Sequence, residues 1–187
     1  VRYATTGDTA IRNVQPLYAE LASGGGEDEA ARRTDRTRRL LERPDVDYVS
    51  IKVSATVAPH NHWAFDEAVD HIESQLVPLF RKAAAASPKK FINLDMEEYH
   101  DLHLTIRLFK ELLSEPEFLT LDAGIVLQAY LPDTFDALKD VADFAKERVA
   151  KGGGKVKVRI VKGANLSMET AESEVHDWPL ATYTNKM

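Results

Sequence analysis

The chain has 187 residues, 44% apolar content and no cysteine, so it is long enough for one buried core and cannot form disulfides or thiolate metal sites. Its 30 acidic and 24 basic side chains give a net charge of -6, which argues against nucleic acid as the main partner. No apolar run approaches membrane-spanning length, and the N-terminus does not read as a signal peptide.

Residues 1–44 read as an N-terminal helical segment, with a helix from about Glu27 to Leu41 after the flexible Gly24-Gly25-Gly26 and no convincing strand before it. From Asp45 onward, β-branched runs alternate with amphipathic segments in the rhythm of βα units. Four short apolar runs each end in a polar or charged cluster: SIKVSA (50–55), KFINLDMEE (90–98), IVLQAY (125–130) and KVRIVKGAN (157–165). Taking Lys52, Asn93, Leu127 and Arg159 as markers gives steps of 41, 34 and 32 residues, each enough for a strand, a helix and two loops. Helices are predicted near 64–86, 100–114, 133–151 and 167–175. In the second of these, Leu102, Ile106, Phe109 and Leu113 recur at helical spacing. Pro132-Asp133 reads as a helix entry and Gly152-Gly153-Gly154 as an exit.

The pattern predicts an α/β fold, a (β/α)8 TIM-like barrel that is incomplete in this chain, since a complete one needs about 250 residues. With no initiator Met and no closing element after YTNKM, the chain is expected to be a fragment of a longer protein. Residues two apart on a strand share a face. Lys52 then sits with Ser50 and Ser54, Asp95 with Asn93, Gln128 with Tyr130, and Arg159 with Lys157. Ile51, Val53, Ile92, Leu94, Leu127, Val158 and Ile160 are expected to face the helix layer. Polar groups from four strand ends, costly to bury singly, point to a binding site at the barrel mouth.

Each candidate has a plainer alternative. Lys52 could reach solvent, but its place between Ile51 and Val53 favours function. Asp95 lies within its strand and reads as a site residue, whereas Glu97 and Glu98 read as caps of the following helix. Gln128 is a buried amide that needs partners in a structural or a functional role alike. Arg159 and Lys162 lead into Gly163-Ala164-Asn165, a small-residue turn before a helix, which reads as a phosphate-binding corner. His60 and His62 lie in a loop. His100 and His103 have i, i+3 spacing beside two glutamates but match no metal motif and read as a solvated helix face, so no metal is expected. His71 reads as an exposed helix position and His176 as a loop residue.

SIKVSA, FINLDMEE, GIVLQAY, VRIVKGAN and the terminal YTNK, in this order and spacing, resemble the proline dehydrogenase family, in particular the catalytic domain of bacterial proline utilization A proteins. The resemblance spans roughly residues 45 to 187, read as a partial barrel domain. It implies FAD as cofactor and oxidation of L-proline to Δ1-pyrroline-5-carboxylate, with electrons passed to a quinone. It further implies that Gln128 and Arg159 hydrogen-bond the flavin ring and that Lys162, Gly163 and Ala164 lie along its ribityl-pyrophosphate. Thr184 and Lys186 would contact its adenosine half, and Lys52 and Asp95 would line the substrate side as a charged pair. A cytoplasmic location, peripheral membrane association, a homo-oligomer and a downstream L-glutamate gamma-semialdehyde dehydrogenase domain are compatible with the same likeness.

The chain departs from the family where Asn165 and Leu166 stand in place of an aromatic pair. The family's carboxylate-clamping helix would fall beyond Met187, so the chain alone is expected to bind proline weakly and turn it over slowly or not at all. Two other readings stay open: a Schiff-base aldolase barrel using Lys52 or Lys162, and a non-catalytic barrel-derived interaction domain.

Overall fold

A computed structural model of the chain describes residues 26–56 and 64–184. The first described element is helix α1, Gly26–Glu42, one residue longer at each end than its sequence signals suggest. Strand β1 (Tyr48–Lys52) leads into a single helical turn, α2 (Val53–Thr56), and then α3 (Phe65–Ala85). Strand β2 (Phe91–Asp95) is followed by a 3-10 turn at Tyr99–Asp101 and by α4 (Leu102–Ser114). Strand β3 (Ala123–Gln128), α5 (Thr134–Ala150), β4 (Val156–Val161) and α6 (Leu166–His176) complete the order.

The four strands form one parallel sheet in the order β1-β2-β3-β4, so each βα unit lays its strand beside the previous one. Parallel neighbours require a crossover, and helices supply it on one face. The core lies between that face and α3, α4 and α5. Ile72, Leu76, Leu79 and Phe80 of α3 and Leu102, Phe109, Leu112 and Leu113 of α4 are buried with Ile51, Ile92, Leu94, Ile125 and Leu127 of the sheet. Fully burying side chains of this size contributes about 1.5–3 kcal/mol each, which is why the apolar periodicity located the helices.

Several expectations are corrected where the chain leaves regular strand. SIKVSA is strand only to Lys52; Val53 and Ser54 belong to α2, so Ser54 does not share the face of Lys52 by alternation. Tyr130 likewise lies in a turn after Gln128. On β4, Ile160 is 48% exposed instead of covered by helix, and Val158 is half-buried. β4 pairs with β3 alone among the described strands, and among the described residues it has less helix packed on it than β2 and β3, which α3, α4 and α5 cover. His176 is the last residue of α6, not a loop residue. His71 is exposed as expected. His60, His62 and Lys186 lie outside the described residues.

Candidate active site at the strand ends

Register decides which polar residues meet. Lys52 pairs with Asp95 and Val126 pairs with Arg159, which places Lys52, Asp95, Val126 and Arg159 along one row across the C-terminal part of the sheet. Gln128 stands one step further up, opposite Val161. The sheet face away from the helices thus carries the polar residues of all four strands, in agreement with the alternation argument.

Below this row the same face is closed by rings. Tyr48 and Phe91 stack with centroids 5.2 Å apart and planes 8° from parallel, and the Lys157 ammonium lies 5.2 and 5.8 Å from their centroids. Gly124 makes room, since a Cβ there would fall 2.6 Å from Asn93 Oδ1 and 3.0 Å from the Phe91 ring. Asn93 is fully buried and donates from Nδ2 to Ser50 Oγ at 3.0 Å.

The charged pairs differ from those expected. Lys52 and Asp95 are register neighbours, yet each takes another partner. Lys52 Nζ donates to Glu97 Oε2 at 2.7 Å and lies 3.7 Å from Glu98 Oε1. Asp95 faces Arg159, whose Nη2 is 3.4 Å from both carboxylate oxygens. The lysine reaches past Asp95 because the loop after β2 turns Glu97 over the end of β1. Glu97 is therefore an ion-pair partner instead of a helix cap, and Glu98, at the cap position of the 3-10 turn, makes no side-chain capping bond. Burial pushes the Asp95 carboxyl above its ordinary value, with Arg159 and then Lys52 pulling down and Glu97 adding to the rise.

Gln128 is fully buried, and its amide is engaged at both ends. Nε2 donates to the Glu97 carbonyl at 2.6 Å and contacts Met96 Sδ at 3.6 Å, while Oε1 accepts the Ala164 N–H at 2.9 Å. It thus ties the loop after β2 to the turn after β4. That turn depends on Gly163, whose φ of +143° suits glycine and whose absent Cβ would lie 2.5 Å from the Tyr130 ring. The expected phosphate corner separates into two parts. Arg159 joins Asp95 on the sheet face, and Lys162 is exposed beyond the strand with no ion-pair partner among the described residues. Thr184 is exposed near the end of the described chain.

Residues that the sequence did not mark as site members complete the site. Tyr99 donates its backbone N–H to Glu169 Oε1 at 2.7 Å and its hydroxyl to Asp133 Oδ2 at 2.9 Å. Asp133 therefore braces Tyr99 and makes no capping bond to α5. Trp178 stacks on His176, centroids 4.6 Å apart, and meets His100 edge-on at 5.3 Å. A cleft of about 750 Å³ opens between Lys52 and α6, with Glu98, His100, Met168 and Trp178 in its wall.

The sequence matches the family model described as Proline dehydrogenase over residues 4–187, so the chain belongs to the proline dehydrogenase family. Solved proline utilization A (PutA) proteins share its fold. The PutA of Corynebacterium freiburgense is 58% identical with a TM-score of 0.83, over 86% of this chain and 17% of that one. The PutA of Bdellovibrio bacteriovorus, described as inactivated by N-propargylglycine, is 34% identical with a TM-score of 0.76, over 86% and 18%. A Bradyrhizobium japonicum PutA mutant, at 22% identity, 0.74, 86% and 17%, shows the fold alone. The chain thus spans less than a fifth of the length of these relatives. No curated protein sequence matches it.

Proposed function

We propose that this chain forms the flavin-facing part of a proline-oxidising site, converting L-proline to Δ1-pyrroline-5-carboxylate with FAD. The observation that carries this reading is Arg159. Its guanidinium is held by Asp95 at the C-terminal ends of parallel strands, and its Nε is buried with no hydrogen-bond partner. A buried donor without an acceptor is costly. A flavin ring, rich in acceptors, would satisfy it, so the donor set fits the cofactor that the family implies.

Bound FAD supplies the two-electron acceptor. The reaction turns the Cδ–N single bond of the proline ring into C=N, giving up a hydride equivalent from carbon and a proton from nitrogen. Arg159 keeps a positive charge beside the acceptor, and Asp95 fixes its orientation. Lys52 and Asp95 line the substrate side, each held by a separate partner, and shape the pocket without serving as an obligatory base. Lys162, Gly163, Ala164, Thr184 and Lys186 are assigned to the cofactor's ribityl-phosphate and adenosine parts. Gln128 holds the Glu97 and Ala164 backbones in place, and its Oε1, which accepts one of the two hydrogen bonds it can take, is assigned to the flavin ring.

We also assign a quinone as electron acceptor and the remainder of an eight-stranded barrel, with an aldehyde dehydrogenase domain, to the parent protein. Peripheral membrane contact, a cytoplasmic location and homo-oligomerisation belong to the same proposal. No helix among the described residues is long and apolar enough to cross a membrane. A Schiff-base role for Lys52 is less favoured, because its amine lies in an ion pair with Glu97 instead of open in a dry apolar pocket.

The test is a visible absorption titration of the chain with FAD. Uptake of flavin with a shifted, resolved spectrum, lost in Arg159→Met, is expected. Failure to take up FAD in excess would sink the cofactor assignment, and borohydride trapping of a carbonyl compound on Lys52 or Lys162 would favour the lyase.

A further inference from the structure

Among the described residues, helix α6 buries no apolar face. Leu166, Met168 and Val175 are 52%, 54% and 77% exposed, and the one buried side chain on the helix is Glu169, at 6%. A helix in a globular protein ordinarily docks by an apolar stripe. This one docks by a carboxylate. Glu169 Oε1 accepts the backbone N–H of Tyr99, a residue 70 positions earlier, at 2.7 Å. Hydrogen bonds of this kind, with an ionised acceptor, are the stronger class, and they break without exposing an apolar seam.

What Glu169 holds is the loop that carries the partners of Lys52. Tyr99 directly follows Glu97 and Glu98; Glu97 Oε2 takes the Lys52 ammonium at 2.7 Å, and the Glu97 carbonyl is fixed by Gln128 at 2.6 Å. Tyr99 is braced on its other side by Asp133. The geometry points to Glu169 as a positioning residue that docks α6 onto the β2 loop and, through Tyr99 and Glu97, sets the orientation of Lys52. That this orientation serves proline oxidation rests on the reading above; the coupling itself does not. Seating of α6 and placement of the site lysine are then one event, transmitted through three consecutive residues of backbone.

Lysine reactivity toward an acetylating reagent, read peptide by peptide by mass spectrometry, tests this on the 187-residue chain. Lys146, whose side chain is 76% exposed, is the reference, and buried Lys90 reports unfolding. Glu169→Ala is expected to raise Lys52 labelling about fivefold, the size of one lost hydrogen bond, with Lys90 unchanged and faster exchange of the Tyr99 amide. Glu169→Gln, which keeps an acceptor oxygen, restores most of the protection. Glu97→Gln raises Lys52 labelling while leaving Tyr99 exchange as it was. Unchanged Lys52 labelling in Glu169→Ala beside accelerated Tyr99 exchange would overturn the coupling. If Glu169→Ala unfolds and Lys90 becomes labelled, Glu169→Asp decides: a rise at Lys52 alone supports the coupling, and no rise refutes it. Neither flavin nor proline enters the experiment, so its outcome is separable from that of the flavin titration.

Discussion

At the N-terminal ends of the strands, Arg148 and Lys90 bury their cations against backbone carbonyls; at the C-terminal ends, Lys52 and Arg159 face carboxylates in partly open space. Arg148, 3% exposed, donates to the carbonyl of Leu113 in the last turn of α4 and to those of Phe118, Leu121 and Gly154 in the helix-to-strand connections before β3 and β4. Burial pulls its guanidinium below its ordinary value, with Asp122 opposing. Lys90 donates to the carbonyls of Arg43 and Val46 just before β1. Most of the donors of these buried cations are spent on the backbone. They replace the water that carbonyls at loop turns would otherwise need. The upper cations keep side-chain partners that can be exchanged, and Arg159 keeps a buried donor with none. One end of the sheet uses charge to close the fold and the other, on the proposed reading, holds charge ready for a ligand, the division expected of βα architectures.

Substitutions at the two ends should separate accordingly. Arg148→Ala removes the donor shared by four backbone carbonyls and leaves a cavity, and is expected to cost about 3–5 kcal/mol. A urea midpoint shifted by less than a third of that amount would break the contrast. Gly163→Ala forces a side chain toward the Tyr130 ring at a φ that favours glycine, with an expected loss of about 1–3 kcal/mol. It should also weaken flavin uptake, because the turn carrying Ala164 moves; intact FAD affinity would detach that turn from the cofactor. Lys52→Met removes a partly exposed ion pair and should change stability by about 1 kcal/mol or less. On the proposed reading it should lower proline oxidation by the longer protein far more than stability. A stability loss matching that of Arg148→Ala would make Lys52 a structural residue.

The smallest effect concerns acid. Because burial raises the folded-state value of Asp95 above the ordinary 3.8, the native chain holds this proton more tightly than the unfolded chain does. Its contribution favours folding at low pH and is lost as pH climbs through the raised value. Asp95→Asn should therefore become relatively more stable, compared with the parent chain, as pH rises across that window, and the difference should then level off. An Asp95→Asn chain that instead loses stability relative to the parent chain as pH rises would show Arg159 outweighing burial.

Much of this was legible before the structure. Leu102, Ile106, Phe109 and Leu113 marked α4 because their burial is what makes the helix, and period-two alternation put Lys52, Asp95, Gln128 and Arg159 on one face. Ile160 misled because alternation reports which face a residue takes but not whether a helix covers that face. Glu97 read as a cap because its actual partner, Lys52, is 45 residues away and carries no local signal.

By itself, then, the sequence determined the βα rhythm, the strand ends and the family, since these follow from local periodicity and short motifs. Only the tertiary structure decided who pairs with whom: Lys52 with Glu97, Asp95 with Arg159, Gln128 with two loops, and Glu169 with the Tyr99 amide. Such pairings depend on strand register and loop direction, and neighbours in sequence do not encode them.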